Sequence, residues 1–369
     1  MFISSHTLHL LNSAGFHTSR SCRELKASIK LIAEIRKITD NQTSFAKAKE
    51  ALLATNNELN AALEWLEKDS VTSGAKKAAK VANRIANDGL VGISILADGS
   101  RAGPVRAAMV EINCETDFVT RNEIFSQLVA DIAHTTAYLA ETSSELDPKP
   151  GLIAPFPIDT LVNAPLVPTP THHTPPDPSN TISSAIQHAT SKLGEKISLR
   201  RACALIAPAL VPSSNLGLRV GSYLHLSGNQ QNQTGKIGAL VAIALKSPNL
   251  PTFLTTGEAD TRALARALAR QVVGLGANRV GHAASGELGD ASSTALYEQP
   301  FMMQPGGGTD KAVRTALDAW ARERGLASAG GPDNEGVEVI EFVKWTAGEG
   351  IEKLEPQGGF AEEVRRLSS

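Results

Sequence analysis

The spacing of apolar positions along this chain changes several times, and each change predicts a change of element. From Leu25 to Lys68 the spacing is helical. Leu25, Ile29 and Ile32 fall at i, i+4 and i+7, and Leu59, Leu63 and Leu66 repeat that interval. Polar connectors at 39–44 and 55–57 divide the run into three predicted helices. Residues 69–88 set Lys76, Lys77, Lys80 and Arg84 among alanines, which predicts an exposed basic helix or linker. The period then drops to two. Strands are predicted at 90–96 and 105–113, with Ala108, Val110 and Ile112 on one face, and the turn signals at 99–104 join them as a hairpin. A helix follows with Phe125, Leu128, Val129 and Ile132 on one side.

The second half repeats the theme. Strands are predicted at 199–206, 218–227 and 236–245. A helix over 257–273 is anchored by Leu264, Leu268 and Val272, and Thr255 and Glu258 have capping-box spacing at its start. Another helix covers 310–324 with Val313, Ala316, Leu317 and Trp320 inward, then a strand at 337–345 and a short terminal helix at 360–367. Strands in runs rather than in strict alternation with helices predict an α+β fold. It comprises a three-helix N-terminal domain and two core subdomains of antiparallel strands with packed helices.

Two segments break the pattern. Residues 148–178 hold ten of the chain's 19 prolines and only three charges, a composition that predicts an extended insert with neither ladder nor helix. Residues 1–23 contain no acid, and they carry Arg20, Arg23, three histidines and many Ser and Thr around a loose apolar set. That composition predicts a mitochondrial transit peptide and a place in the matrix. The resulting division is 1–23 transit peptide, 24–69 helical domain, 70–89 basic linker or helix, 90–147 first core subdomain, 148–178 insert, and 179–369 second core subdomain.

Composition narrows the function. The 369 residues are 42% hydrophobic and 20% charged, with a formal net charge of −2. This excludes a polybasic nucleic-acid binder and an acidic disordered chain. Aromatics at 4% argue against base-stacking platforms. No apolar run is long enough to span a membrane. Cys22, Cys114 and Cys203 are widely separated, which fits neither a disulfide scaffold nor a cysteine-rich zinc site. The glycines at 306–308 are followed by Thr309 and Asp310 rather than the phosphate-binding Lys, and Gly274 and Gly276 lack the third glycine of a dinucleotide fingerprint. His172 and His173 sit in the proline-rich stretch and read as solvated loop.

Residues 111–122 concentrate the remaining signal: Glu-Ile-Asn-Cys-Glu-Thr-Asp-Phe-Val-Thr-Arg-Asn. A strand ends here and a helix begins. Thr120 and Glu123 have capping-box spacing, and Val119 and Ile124 have hydrophobic-staple spacing. Asp117 and Phe118 lie just before this doubly fixed helix start. An aromatic beside an acid on a held loop suits a partner-binding wedge. Two other assignments fit the same letters. Phe118 could fold into its own core with Asp117 capping a turn, or Glu111, Glu115 and Asp117 could offer oxygen ligands to magnesium or calcium.

The stretch from Glu111 to Arg121 also resembles the signature of the elongation factor Ts family, the guanine-nucleotide exchange factors for elongation factor Tu. The family pattern is Glu, aliphatic, Asn, small, Glu or Gln, then Thr-Asp-Phe-Val, and all nine positions match. Further similar blocks follow the family's order. Ile35-Arg36-Lys37-Ile38-Thr39, Ala48-Lys49-Glu50-Ala51-Leu52 and Ala62-Leu63-Glu64-Trp65-Leu66 resemble its ubiquitin-associated-like (UBA-like) helical domain. Gly89-Leu90-Val91, Tyr223-Leu224-His225, Gly235-Lys236-Ile237-Gly238, Glu298-Gln299-Pro300-Phe301 and Gly348-Glu349-Gly350-Ile351 resemble core blocks. The departures are Ser44-Phe45-Ala46 in place of an apolar pair, Thr120 for a smaller residue, the proline-rich insert, and the lack of a long heptad run for a coiled-coil insert. With its N-terminus, the chain resembles a mitochondrial member, of fungal type.

The resemblance implies a protein that makes and breaks no covalent bond and has no catalytic residue, metal ligand or cofactor of its own. GDP and GTP would be bound by the partner, mitochondrial elongation factor Tu. The implied partner-binding residues are Thr116, Asp117, Phe118 and Val119 of the loop, Arg36 and Phe45 of the helical domain, and His225 of the second subdomain. The competing readings are a ubiquitin-type binding module confined to the helices and an RNA-binding role for Lys76, Lys77, Lys80 and Arg84. No direct nucleic-acid or membrane partner is expected.

Overall fold

A computed structural model describes residues 26–39, 43–141, 151–171, 177–211, 213–226, 233–281, 288–328 and 335–351. Residues 1–23, read from composition as a transit peptide, His172, His173 and the terminal helix expected at 360–367 lie outside the described residues. The chain divides into two compact units, residues 1–70 and 71–369.

In the first unit, α1 (Ile29–Ile38), α2 (Phe45–Ala54) and the start of α3 (Leu59–Val81) bury Ile32, Ile35, Ala48, Ala51, Leu52 and Ala62 in one small core. Ser44 begins α2 by accepting the Lys47 amide at 3.2 Å. Helix α3 continues to Val81, so Lys76, Lys77 and Lys80 are exposed helical residues.

The second unit is α+β. Its strands are β1 (Asp88–Asp98), β2 (Val105–Cys114), β3 (Ile153–Pro155), β4 (Ser198–Ala207), β5 (Leu216–His225), β6 (Thr234–Gly235), β7 (Ile237–Lys246) and β8 (Gly336–Thr346). The first sheet has the order β3-β4-β2-β1-β6, and the second the order β5-β7-β8; every pairing is antiparallel. The predicted hairpin is β1 (Asp88–Asp98) with β2 (Val105–Cys114). Strand β2 is buried on both faces. Val110, Ile112 and Cys114 meet α5 (Glu123–Leu139), where Phe125, Leu128, Val129 and Ile132 form the expected apolar stripe. Ala107 and Met109 join Val91, Ile93, Cys203 and Leu205 in a second core with Val220, Leu240, Ala242 and Trp345 of the other sheet. The two sheets approach closely at Gly238, where a Cβ would stand 2.7 Å from Val91 Cγ1. Beyond the second sheet, the short α8 (Leu250–Phe253), α9 (Glu258–Gly274) and α10 (Val313–Glu323) bury Leu250, Leu264, Leu268, Val272, Val313, Leu317 and Trp320. The layers therefore run helix, sheet, sheet, helix.

Three expectations are corrected. Strand β4 (Ser198–Ala207), grouped by sequence with the strands after it, instead pairs with β2 of the first hairpin. Its partner was set by long-range pairing, which local alternation does not encode. The proline-rich segment forms both a strand, β3 (Ile153–Pro155), and a helix, α6 (Ile158–Asn163). Two of its prolines occupy places that need no donor: Pro155 ends an edge strand and Pro157 is the residue before the helix. Leu161 and Leu166 fill the α5 core, and the Thr169 amide and hydroxyl both bond the Asp131 carboxylate on α5. The capping box at Thr255 and Glu258 is also absent. Gly257 is the N-cap of α9, and the Glu258 carboxylate instead accepts the Arg219 guanidinium at 2.7 Å and the Arg101 amide at 2.6 Å.

Candidate functional site

The site begins at a charge that an apolar strand has to accommodate. Glu111 lies on β2 and its side chain is fully buried. One carboxylate oxygen accepts Arg200 at 2.9 Å, the Gly348 amide at 2.8 Å and the Asn113 amide group at 3.1 Å, and the other accepts Arg201 at 2.5 Å. Burial on its own would raise this carboxyl; the Gly348 amide, the two arginines and Asn113 outweigh it and hold the group below its usual range. Glu111 thus ties β2 to β4 and to the turn after β8 (Gly336–Thr346). The carboxylate is engaged structurally and is not offered to a metal.

Past Cys114 the chain leaves the sheet. Glu195 receives the loop: its Oε2 accepts the amides of Glu115 and Thr116 at 3.1 and 3.0 Å, and its Oε1 accepts the Thr116 hydroxyl at 2.5 Å. Glu115 accepts the Lys196 amide at 2.6 Å and pairs with Arg84 at 3.3 Å. Glu195 reaches this position because α7 (Ile182–Leu193) stops at Gly194, whose φ of 75° is the left-handed conformation that favours glycine at a helix end.

Residues Asp117–Thr120 form a single helical turn, α4. The expected capping box and staple are therefore corrected. The Thr120 hydroxyl donates to the Asp117 carbonyl at 2.7 Å inside that turn, and Asn122 caps α5 by accepting the Ile124 amide at 2.9 Å. Val119 packs into the α5 core, while Ile124 is 42% exposed. Asp117 pairs with Arg121 at 2.8 Å. Glu111, Glu115 and Asp117 are held by different partners, and among the described residues no cluster of three or more His, Cys, Asp and Glu is placed to hold a metal ion.

Phe118 is 79% exposed, the highest value of any large hydrophobic side chain among the described residues. It does not fold into its own core. The neighbours on both sides are fixed, Thr116 by Glu195 and Val119 by burial, so an apolar ring is presented to solvent from a held turn. Burying such a ring on a partner is favourable by about 1.5–3 kcal/mol.

The other sequence-predicted residues lie elsewhere. Arg36 on α1 is half-buried, with its Nε lacking a hydrogen-bond partner among the described residues, and Phe45 at the start of α2 is 52% exposed. His225 is exposed at the end of β5 (Leu216–His225), its ring stacked on Tyr223 with centroids 6.3 Å apart.

Against known proteins, residues 115–349, more than half of the chain, match the family model described as Elongation factor TS. The chain belongs to the elongation factor Ts family. It is 42% identical to mitochondrial elongation factor Ts of Coprinopsis cinerea over 331 residues, spanning 89% of this chain and 93% of that one. It is 42% identical to the Laccaria bicolor protein of the same name over 328 residues, 88% and 92% of the two chains. With the Mycosarcoma maydis mitochondrial elongation factor Ts it shares 39% over 425 aligned positions, 98% and 94% of the two chains. The role of elongation factor Ts is nucleotide exchange on elongation factor Tu.

Sequence reasoning about this elongation factor Ts chain missed Glu195, Arg200 and Arg201. The signals were present but long-range. A charged Glu111 in an apolar strand demands cationic partners, and a Gly-Glu-Lys run just after an amphipathic helix marks a helix stop that delivers a carboxylate.

Proposed function

We propose that this protein acts in mitochondria, in the matrix, as the guanine-nucleotide exchange factor of elongation factor Tu, with Phe118 as the wedge that disturbs the partner's magnesium and phosphate site. It performs no covalent chemistry; GDP and GTP are bound by the partner. Nucleotide release is slow because magnesium, a lysine and backbone amides hold the phosphates, so an efficient exchange factor distorts that shell. The driving force is differential affinity: the factor binds the nucleotide-poor partner better than the GDP form, and GDP and the factor weaken one another by the same ratio.

The observation that carries this reading is Phe118, 79% exposed on a turn fixed at both ends. Asp117, Thr116 and Val119 support the wedge. The helical unit, read as UBA-like, grips the partner's nucleotide domain through Arg36 and Phe45, and His225 contacts a second domain of the partner. The exposed Phe45 and His225 and the unpartnered Arg36 Nε are consistent with those contacts.

The test is release of labelled GDP from mitochondrial elongation factor Tu with this protein present at substoichiometric amounts. Acceleration over many turnovers supports the reading. A spontaneous rate in the presence of folded protein counts against it.

A further inference from the structure

We propose that Glu195 is the positioning residue of the exchange wedge, an inference that rests on the wedge reading of Phe118. A four-residue helical turn such as Asp117–Thr120 cannot hold itself, because one turn fixes several dihedrals for a single hydrogen bond. The direction of Phe118 is therefore set by whatever holds the two ends of the turn. At the C-terminal end, Val119 is buried and Asn122 caps the next helix. At the N-terminal end, neither Glu115 nor Thr116 is buried in the core. There, Glu195 takes three donors at once: two successive backbone amides and the Thr116 hydroxyl. Hydrogen bonds to an ionised acceptor are about twice as strong as neutral ones. Fixing two consecutive amides fixes the Cys114–Glu115 and Glu115–Thr116 peptide planes, through which the chain enters the turn that carries Asp117 and Phe118.

Thr116 is in the N-cap position of the turn with φ −130° and ψ 158°, yet its hydroxyl makes no capping bond, because it is given to Glu195. Glu195 itself is half-buried and follows the left-handed Gly194, so the carboxylate is delivered by the end of α7 rather than by a free loop. The wedge's orientation is thereby built before a partner arrives, which removes an ordering cost from the exchange step.

The experiment compares full-chain variants in GDP release from elongation factor Tu, measured as maximal rate and half-saturating concentration, with thermal melts to establish folding. Glu195→Ala frees the N-terminal end of the turn; the maximal rate is expected to fall about tenfold, while half-saturation shifts less than about threefold. Glu195→Gln retains an oxygen for the two amides and an NH2 to donate to the Thr116 hydroxyl, but through weaker neutral bonds, and is expected to fall about threefold, between the parent and Glu195→Ala. On a Phe118→Ala background, Glu195→Ala should cause no further loss, because it acts through the ring. The proposal is overturned if Glu195→Ala lowers the rate by the same factor with and without Phe118, or if Glu195→Gln is as impaired as Glu195→Ala, which would mean that the charge acts directly. Full exchange by Phe118→Ala alone would overturn the wedge reading and this inference with it. If Glu195→Ala does not fold, Glu195→Asp, which withdraws the carboxylate by one methylene, replaces it in the same comparison.

Discussion

Glu115 and Glu195 hold each other's backbones across the base of the Phe118 turn. Glu195 accepts the amides of Glu115 and Thr116 at 3.1 and 3.0 Å, and Glu115 accepts the amide of Lys196, the residue after Glu195, at 2.6 Å. Two carboxylates this near would repel. Each is offset by amide donors, and Glu115 also by Arg84 at 3.3 Å. The result joins the end of β2 to the start of β4 at the point where the exposed ring is launched.

A second carboxylate carries the acid sensitivity of the fold. Glu111 has its carboxyl held below the usual value despite burial, by the Gly348 amide, Arg200, Arg201 and Asn113. In the unfolded chain a Glu titrates at about pH 4.3. Folding therefore favours the ionised form, and this contribution is complete above that pH and is lost as pH falls through the lower folded-state value. Denaturant unfolding at a series of pH values should show Glu111→Gln with a shallower loss of stability in acid. The slope that remains belongs to groups such as Asp98, lowered by the Ser100 hydroxyl and amide and by Arg262 against the cost of its partial burial. An unchanged slope in the variant would contradict the assignment. At neutral pH, Glu111→Ala should cost about 1–3 kcal/mol, since it removes the buried partner of two arginines that keep the Glu349 carbonyl and the Thr346 carbonyl as acceptors.

Two glycines should respond differently to alanine. At Gly194 the backbone is left-handed but nothing lies within 4 Å of a new Cβ, so Gly194→Ala is expected to cost about 1 kcal/mol from conformation alone. At Gly221 on β5 a Cβ would collide with the Ala265 carbonyl of α9, so helix and sheet would have to separate. Gly221→Ala should cost more, about 2–3 kcal/mol. Equal denaturation midpoints for the two variants would contradict the close packing of α9 on β5.

The described thiols should be silent. Burial, with Asp88 and Glu195 adding negative potential, pushes Cys114 up to about 12, and burial does the same for Cys203. Cys22 lies outside the described residues, so the test uses Cys22→Ser. Native protein at mildly alkaline pH should take up no alkylating reagent, and denatured protein should take up two. Labelling of either cysteine in the native state at the rate of a free thiol would contradict its packing, Cys114 in the α5 core and Cys203 between the two sheets.

The parts legible in the sequence were those written in local period. The hairpin 90–113 shows alternation around a turn, and the α5 stripe from Phe125 to Ile132 shows helical spacing. The place of Phe118 before a helix start left exposure and burial both open, and the structure decides for exposure. What stayed illegible depended on distant partners. Ser198–Ala207 alternates equally well for either sheet, and its place beside β2 is sealed by the Glu111–Arg201 pair, ninety positions apart. Thr120 and Asn122 are both good caps two residues apart; the extra turn at Asp117 gave the role to Asn122. The proline-rich segment looked structureless because composition counts prolines without locating them, and here Pro155 and Pro157 fall at element ends.

The central claim is that the Phe118 ring, held out by its turn, is what loosens the partner's nucleotide. The direct measurement is the GDP release rate of mitochondrial elongation factor Tu with the parent protein and with Phe118→Ala, each shown by thermal melting to be folded. Phe118 has almost no contacts to lose, so the melting temperature should be unchanged, while the release rate should fall by the equivalent of about 1–3 kcal/mol, roughly 5- to 150-fold. A Phe118→Ala variant that folds and releases GDP at the full parental rate would contradict the account.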